Sequence, residues 1–360
     1  MSTTVRRRVP VMLLAVLVLF AAACGSSKKT GGTNSAGGGG AVLPATTLKG
    51  SGSSFQDPFD EQVFRDFTND AQKNVTVNYN PVGSGQGQTD LEGGLVDFAG
   101  SDSLVAAADI PKLKGAILYV PIVSAPITIS YNVNGLDKLS LSASTIAKIF
   151  ASTITTWNAP EIAADNPGVT LPSEPIVVVH RSDGSGTTAN FTKYLTQAAP
   201  TDWSLGTGKV VNWASSTIGA AKNSGVAGKI SGTEGAIGYV DFADATAASL
   251  HVASVKNSAG SFIAPSLAAA TAAMAAAPVA ADVTVSPMNA PGADSYPITS
   301  PTYILVYAKQ TNHAQGTALK ALLEYVLGAG QGNAAALNFA KLPDALLAQA
   351  KAQVDRIVVP

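Results

Sequence analysis

Three times between residues 48 and 103 a short apolar or β-branched run gives way to a loop of glycine and serine. The first loop is Gly50-Ser51-Gly52-Ser53-Ser54-Phe55, with Gln56-Asp57-Pro58 and the apolar face Phe59, Val63, Phe64 and Phe67 behind it. The second follows Val75-Thr76-Val77-Asn78-Tyr79 and reads Val82-Gly83-Ser84-Gly85-Gln86-Gly87, entering a helix through Leu91. The third follows Leu95-Val96-Asp97-Phe98-Ala99 and reads Gly100-Ser101-Asp102-Ser103. The strands are expected to stop before the glycines, with Asp57 as N-cap and Pro58 as first helical residue. Strand, small-residue loop and helix in alternation is an α/β pattern, whose ligands gather beyond the carboxyl ends of the strands.

A fourth such unit lies further on. Ile176-Val177-Val178-Val179 reads as a buried strand, and Phe191, Tyr194 and Leu195 share one face of a following helix. Between them runs His180-Arg181-Ser182-Asp183-Gly184-Ser185-Gly186-Thr187-Thr188. Such a loop aims backbone N–H groups and the positive end of a helix dipole at one point. Ser185, Thr187 and Thr188 add hydroxyl donors, and Arg181 adds a planar cation suited to tetrahedral oxyanions. The same order also fits an ordinary turn capped by Ser or Thr.

Two longer Val/Ile/Tyr-rich segments, residues 117–131 and 298–308, read as a pair of strands crossing between two lobes. Helices are expected over 141–150, over 267–277 with Ser266 as cap and Pro278 as terminator, around Leu319, Leu322, Leu323 and Val326, and from 343 towards 354. A strand is expected over 235–240. The chain therefore leaves the first lobe, builds the second and returns, giving lobe I as 48–128 plus 297–360 and lobe II as 129–296.

Lys and Arg total 23 against 24 Asp and Glu, for a net charge of −1, which argues against a nucleic-acid partner. Any anion selectivity must come from local geometry. Hydrophobic content of 46% excludes disorder throughout. Residues 1–23 form a secretory signal: Arg6-Arg7-Arg8, an apolar run too short to span a membrane, then small residues before a cut. Ala21-Ala22-Ala23-Cys24-Gly25 resembles a lipobox, in which the only cysteine, Cys24, is acylated, although Ala21 stands where Leu is usual. Residues 24–47 are this Cys and a Gly/Ser/Thr-rich tether.

Enzyme readings are thin. Gly83-Ser84-Gly85-Gln86-Gly87 is not a dinucleotide fingerprint, and Gly206-Thr207-Gly208-Lys209 lacks the upstream glycine of a phosphate-binding P-loop. Asp183 stands where a nucleophile elbow centred on Ser185 needs glycine. With three histidines, His180, His251 and His313, a His/Cys zinc site is not expected, nor is any cofactor. Asp102 is the odd member of an anion site, because a carboxylate repels an anion. It makes sense where the anion carries a proton for Asp102 to accept; phosphate keeps one near neutral pH and sulfate does not.

These stretches, together with Thr155-Thr156-Trp157-Asn158, Asn166-Pro167-Gly168, Gly235-Ala236-Ile237-Gly238-Tyr239-Val240 and Pro297-Ile298-Thr299-Ser300, resemble the substrate-binding protein of the phosphate-specific ABC transporter. The resemblance implies a two-lobed, type II periplasmic-binding-protein-like α/β fold that closes on inorganic phosphate. It implies that Ser54 and the Phe55 amide bind the anion from lobe I, with Ser84 adding a hydroxyl and Asp102 accepting its proton. Arg181, Ser185, the Gly186 amide and Thr187 then close from lobe II, with Asp183 orienting Arg181. The implied partners are the permease and ATPase subunits of the importer, and the implied place is the outer side of the cytoplasmic membrane, as a lipid-anchored monomer. Gln56-Asp57, Ala99-Gly100 and residues 213–229 depart from the family's pattern. The rival readings are a receptor of the same fold for sulfate or molybdate, a secreted phosphatase or esterase using Ser185 and His180, and a surface adhesin.

Overall fold

The computed structural model describes residues 42–360. The expected signal peptide, Cys24 and most of the expected tether lie outside the described residues. The first four strands and two helices are β1 (Thr46–Gly52), α1 (Asp57–Asp66), β2 (Val75–Asn80), α2 (Ser84–Gly93), β3 (Phe98–Ser101) and β4 (Ile117–Asn132). After them come β5 (Ser140–Leu141), α3 (Ala143–Phe150), α4 (Pro160–Asp165), β6 (Val177–Arg181), α5 (Gly186–Ala198), β7 (Ile218–Ala220) and α6 (Lys222–Ser231). The chain continues through β8 (Ala236–Asp241), α7 (Phe242–Ala247), β9 (His251–Val252), β10 (Ser254–Lys256), β11 (Phe262–Ile263) and α8 (Leu267–Ala276). It closes with β12 (Thr299–Tyr307), α9 (His313–Val326) and α10 (Asp344–Asp355).

The main sheet has the order β2-β1-β3-β12-β4-β8-β6-β7. Pairs β1–β2, β1–β3, β6–β7 and β6–β8 are parallel, while β12 and β4 run antiparallel to their neighbours. β4 belongs to both halves. Up to Pro126 it pairs with β12, and from Ile127 it pairs with β8. Proline has no N–H to give a ladder, and Pro126 stands at the residue where the strand changes partner. Pro121 lies at the register shift opposite Thr302 and Tyr303. β4 is buried along all but its end residues, because helices cover both faces of the sheet, so its sequence is continuously apolar instead of alternating. Helix α8 is capped by the expected Ser266, whose side chain accepts from the Ala269 N–H.

The first half differs in detail from the sequence reading. β1 starts at Thr46, inside the stretch read as tether, and runs through Gly50 and Gly52 instead of stopping before them. Packing explains this: a Cβ on Gly50 would stand 2.3 Å from the Phe98 ring, and one on Gly52 would stand 2.1 Å from the Gly100 carbonyl. β3 begins at Phe98, three residues later than expected, because Leu95 faces solvent and the Asp97 carboxylate is drawn to the Lys49 N–H at 2.8 Å. The residue before α1 is Gln56, with no side-chain cap, so Asp57 is not the N-cap. In the second half Phe191 stacks on Tyr239 with centroids 4.4 Å apart, and Trp157, Phe150 and Tyr131 are fully buried beside them.

Gly52 has φ +141°, a conformation that side chains rarely adopt, as well as the contact with Gly100. Gly52→Ala is expected to cost about 2 kcal/mol or more of unfolding free energy in urea. A cost under about 0.5 kcal/mol contradicts this account of the first loop.

Candidate functional site

The loops expected to converge do so, at the amino ends of three helices. Ser54 lies between β1 and α1, Ser84 opens α2, and Asp102 follows β3. From the other half, Arg181 ends β6, Ser185 caps α5, and Gly186 and Thr187 form its first turn. The two halves touch. The Gly85 N–H donates to the Gly184 carbonyl at 2.8 Å, and Lys209 Nζ donates to Gln88 Oε1. A Cβ on Gly186 would stand 2.4 Å from Ser84 Oγ and 2.8 Å from Asp102 Oδ2, so no other residue permits this approach without displacement.

A hydroxyl has one proton to donate and two lone pairs to accept with, and here each hydroxyl accepts an N–H bond. Ser54 Oγ accepts from the Asn223 N–H at 3.2 Å, and Thr187 Oγ1 accepts from Asn223 Nδ2 at 3.2 Å. Ser185 Oγ accepts from the Thr188 N–H at 3.1 Å, as the cap of α5. Ser84 Oγ accepts from the Asp102 N–H at 3.2 Å. Three of these hydroxyls donate to no group among the described residues, and Ser84 reaches only Asp102 Oδ2, over 3.4 Å. The first N–H groups of α5, on Gly186 and Thr187, have no partner within the helix. Buried O–H and N–H donors thus collect there with one unpartnered acceptor among them, Asn223 Oδ1, and a bound oxyanion would supply the acceptors they lack.

The charges are few. Arg181 is buried and held by Asp183 through two parallel bonds, Nε to Oδ1 at 2.7 Å and Nη2 to Oδ2 at 2.5 Å. Asp183 also accepts from the Lys222 N–H at 3.3 Å, which ties Arg181 to the start of α6. The third guanidinium nitrogen, Nη1, makes no hydrogen bond among the described residues. Asp102 is buried; its Oδ1 accepts from Ser53 at 2.5 Å and from Thr302 at 2.9 Å, which leaves Oδ2 turned towards Gly186. Burial raises the Asp102 carboxyl to about 6, against the lowering effect of those hydroxyls and of Arg181. One cation against two acids gives no net attraction for an anion, so the directed donors must supply it.

Sequence reasoning missed three participants. Asn223 bonds both Ser54 and Thr187, joining the halves; it lies in the stretch that departs from the family's pattern. The available signal was positional, since Ile218-Gly219-Ala220 is a short strand and residue 223 lies in the first turn of the next helix. Ser53 and Thr302 hold Asp102. The Phe55 N–H, expected to face the ligand, donates to Ser53 Oγ at 3.0 Å in this structure. Asp57 stands apart in a surface cleft with Glu61, Arg65 and Tyr79, and burial, ahead of the charge of Glu61, raises its carboxyl to about 6.

Fold and site define a two-lobed receptor of the periplasmic-binding-protein type. Residues 31–329 match the profile of the PBP superfamily domain. Phosphate-binding protein PstS 3 of Mycobacterium leprae is 36% identical over 313 residues, covering 83% of each chain. Phosphate-binding protein PstS of Pasteurella multocida is 34% identical over 323 residues, covering 86% of this chain and 90% of its own. A high affinity periplasmic phosphate-binding protein, solved with phosphate bound, superposes with a TM-score of 0.70 at 22% identity, over 85% of this chain and 93% of its own. The chain belongs to the PstS phosphate-binding proteins of that superfamily.

Gly186→Ala forces the two loops apart at Ser84 and Asp102. Small-angle scattering with saturating phosphate should then show an expanded molecule, with affinity reduced about 100-fold or more. An affinity within about threefold of the parent contradicts the close approach described.

Proposed function

We propose that this chain captures inorganic phosphate outside the cytoplasmic membrane and delivers it to an ATP-driven importer, by closing lobes 48–128 with 297–360 and 129–296 around the anion. The change of partner along β4 between Pro126 and Ile127 supports that division. The observation that carries the reading is the set of buried hydroxyls that each accept an N–H bond and, Ser84's long contact to Asp102 aside, donate to no group among the described residues, beside one buried arginine and one carboxylate oxygen. Ser54, Ser84, Ser185 and Thr187 donate to the anion with the Gly186 and Thr187 amides. Arg181, oriented by Asp183, supplies the charged pair, and Asp102 Oδ2 accepts the proton that phosphate retains. Asn223 fixes the direction of the Ser54 and Thr187 hydroxyls. The Phe55 amide joins only if Ser53 releases it.

Each charge-assisted bond contributes about 1.5–3 kcal/mol before closure costs, and several together reach micromolar binding or better, about −8 kcal/mol. Attachment by an acylated Cys24 after removal of residues 1–23, and docking of the closed form on the permease and ATPase subunits, complete the proposal. No helix among the described residues is long and apolar enough to cross a membrane. The hydrolase alternative draws no support from the geometry. His180 Nδ1 lies 2.9 Å from the Arg181 carbonyl, and its ring stacks on Trp213 at 4.8 Å, so it is not paired with Ser185.

Calorimetry tests the role of Asp102. Phosphate should bind with micromolar affinity or better, and sulfate about 10⁴-fold more weakly, since sulfate leaves Asp102 unpaired. Asp102→Asn should shrink that ratio about 100-fold or more, because an amide can donate to sulfate; strong sulfate binding by the parent sinks the assignment.

The pH dependence follows from the raised carboxyl. Asp102 accepts only when ionised, so phosphate affinity should fall as pH drops through about 6. Affinity unchanged down to about pH 4.5 contradicts this.

A further inference from the structure

Behind Asp102 lies a chain of buried polar side chains that do not belong to the cage: Thr302 on β12, Gln56 before α1, and Asp60 one turn into it. Thr302 Oγ1 lies 2.9 Å from Asp102 Oδ1 and 2.5 Å from Gln56 Oε1, and Gln56 Nε2 lies 2.7 Å from Asp60 Oδ2. Asp60, Gln56 and Thr302 are wholly inaccessible to solvent. The threonine hydroxyl has a single proton, yet it faces two acceptor oxygens. If it donates to Gln56, its oxygen stands bare against Asp102 Oδ1, unless Asp102 carries a proton itself.

Turning the Gln56 amide by half a rotation exchanges its oxygen and nitrogen at the same positions. The nitrogen then donates to Thr302, Thr302 donates to Asp102, and the amide oxygen faces Asp60 Oδ2, which must bear the proton. The surroundings decide between the two arrangements. Asp102 receives bonds from Ser53, Thr302 and Ser84 and lies in the field of Arg181. Asp60 has Gln56 alone, its Oδ1 has no partner among the described residues, and the charged groups that act on it, Asp57 and Asp102, are both acids. The phenol of Tyr79, in the field of Asp60, adds no cation. An unpaired carboxylate wholly inside a protein is far costlier than the neutral acid. Burial accordingly raises Asp60 well above the usual carboxylate range and Asp102 only to about 6.

We propose that Asp60 is held as the neutral acid and, through Gln56 and Thr302, turns a donor onto Asp102, fixing Asp102 as the anionic acceptor of the ligand's proton. Asp60 is thus a positioning residue for selecting protonated over unprotonated oxyanions, and this rests on the role given to Asp102 above. Every bond in the chain runs one way, from acid to amide to hydroxyl to carboxylate.

The test compares Asp60→Ala, Asp60→Asn and Thr302→Val by calorimetry with inorganic phosphate across the pH range. Asp60→Ala frees Gln56 to take the Thr302 proton, so the Kd should rise about tenfold and the acid loss of binding should move up by about one pH unit. Thr302→Val should reproduce that profile. Asp60→Asn donates to Gln56 as the acid did and should restore affinity to within about threefold; an asparagine no better than alanine overturns the proposal. Infrared spectra of the ligand-free protein at neutral pH locate the proton independently. A protonated-carboxyl component should vanish in Asp60→Asn and persist in Asp102→Asn, and the reverse pattern overturns the proposal. If the parent binds no phosphate while that component belongs to Asp60, the functional reading fails and the proton assignment stands.

Discussion

Four hydroxyl groups that already accept an N–H bond from the protein are the constraint on which this structure turns. Ser54, Thr187, Ser185 and Ser84 each accept an N–H bond from the protein, and the first three have a proton with no acceptor among the described residues, while Ser84 reaches only Asp102 over 3.4 Å. Burying donors without acceptors is unfavourable, and the fold does it at the point where loops from both halves of the sheet meet. That arrangement makes a site without a net positive charge attractive to an anion. It also explains why Asn223 matters: one residue bonds a hydroxyl from each half, so closure itself orients the donors.

The scaffold serves that meeting point. Parallel strands β1, β2, β3 and β6 deliver the loops at their carboxyl ends, and β1, β2 and β6 lead into the amino ends of α1, α2 and α5. The shared strand β4, paired with β12 up to Pro126 and with β8 from Ile127, carries the chain between halves. Neither loop acts alone. The cage exists because glycines at 52, 83 and 186 let backbones and side chains from separate segments come within reach.

Much of this was legible in the sequence. The glycine/serine loops, the Arg181–Thr187 stretch and the long strands β4 and β12 are local patterns, and the structure brings Gly186 against Ser84 and Asp102, Gly83 against Asp183 and Arg181, and Ser54 to Thr187 through Asn223. The strand limits were less so, since Gly50 and Gly52 look like strand breakers in sequence and serve in β1 because Phe98 and Gly100 pack where a side chain would be. Asn223 and Thr302 were illegible for another reason. Their roles arise from contacts across 169 and 200 residues of chain, and neither sits in a pattern that announces a ligand. The Phe55 amide shows the converse, because a neighbour two residues away, Ser53, claims it.

The central claim is that short-range, directed donors in a dehydrated cage hold the anion, and that long-range charge does not. The dependence of the phosphate Kd on ionic strength tests it most directly, because screening weakens only the long-range part. Between about 0.02 and 0.5 M sodium chloride the Kd should change by no more than about twofold. A loss of affinity of about tenfold or more over that range contradicts the account, since it would mean that a diffuse positive field draws the anion in.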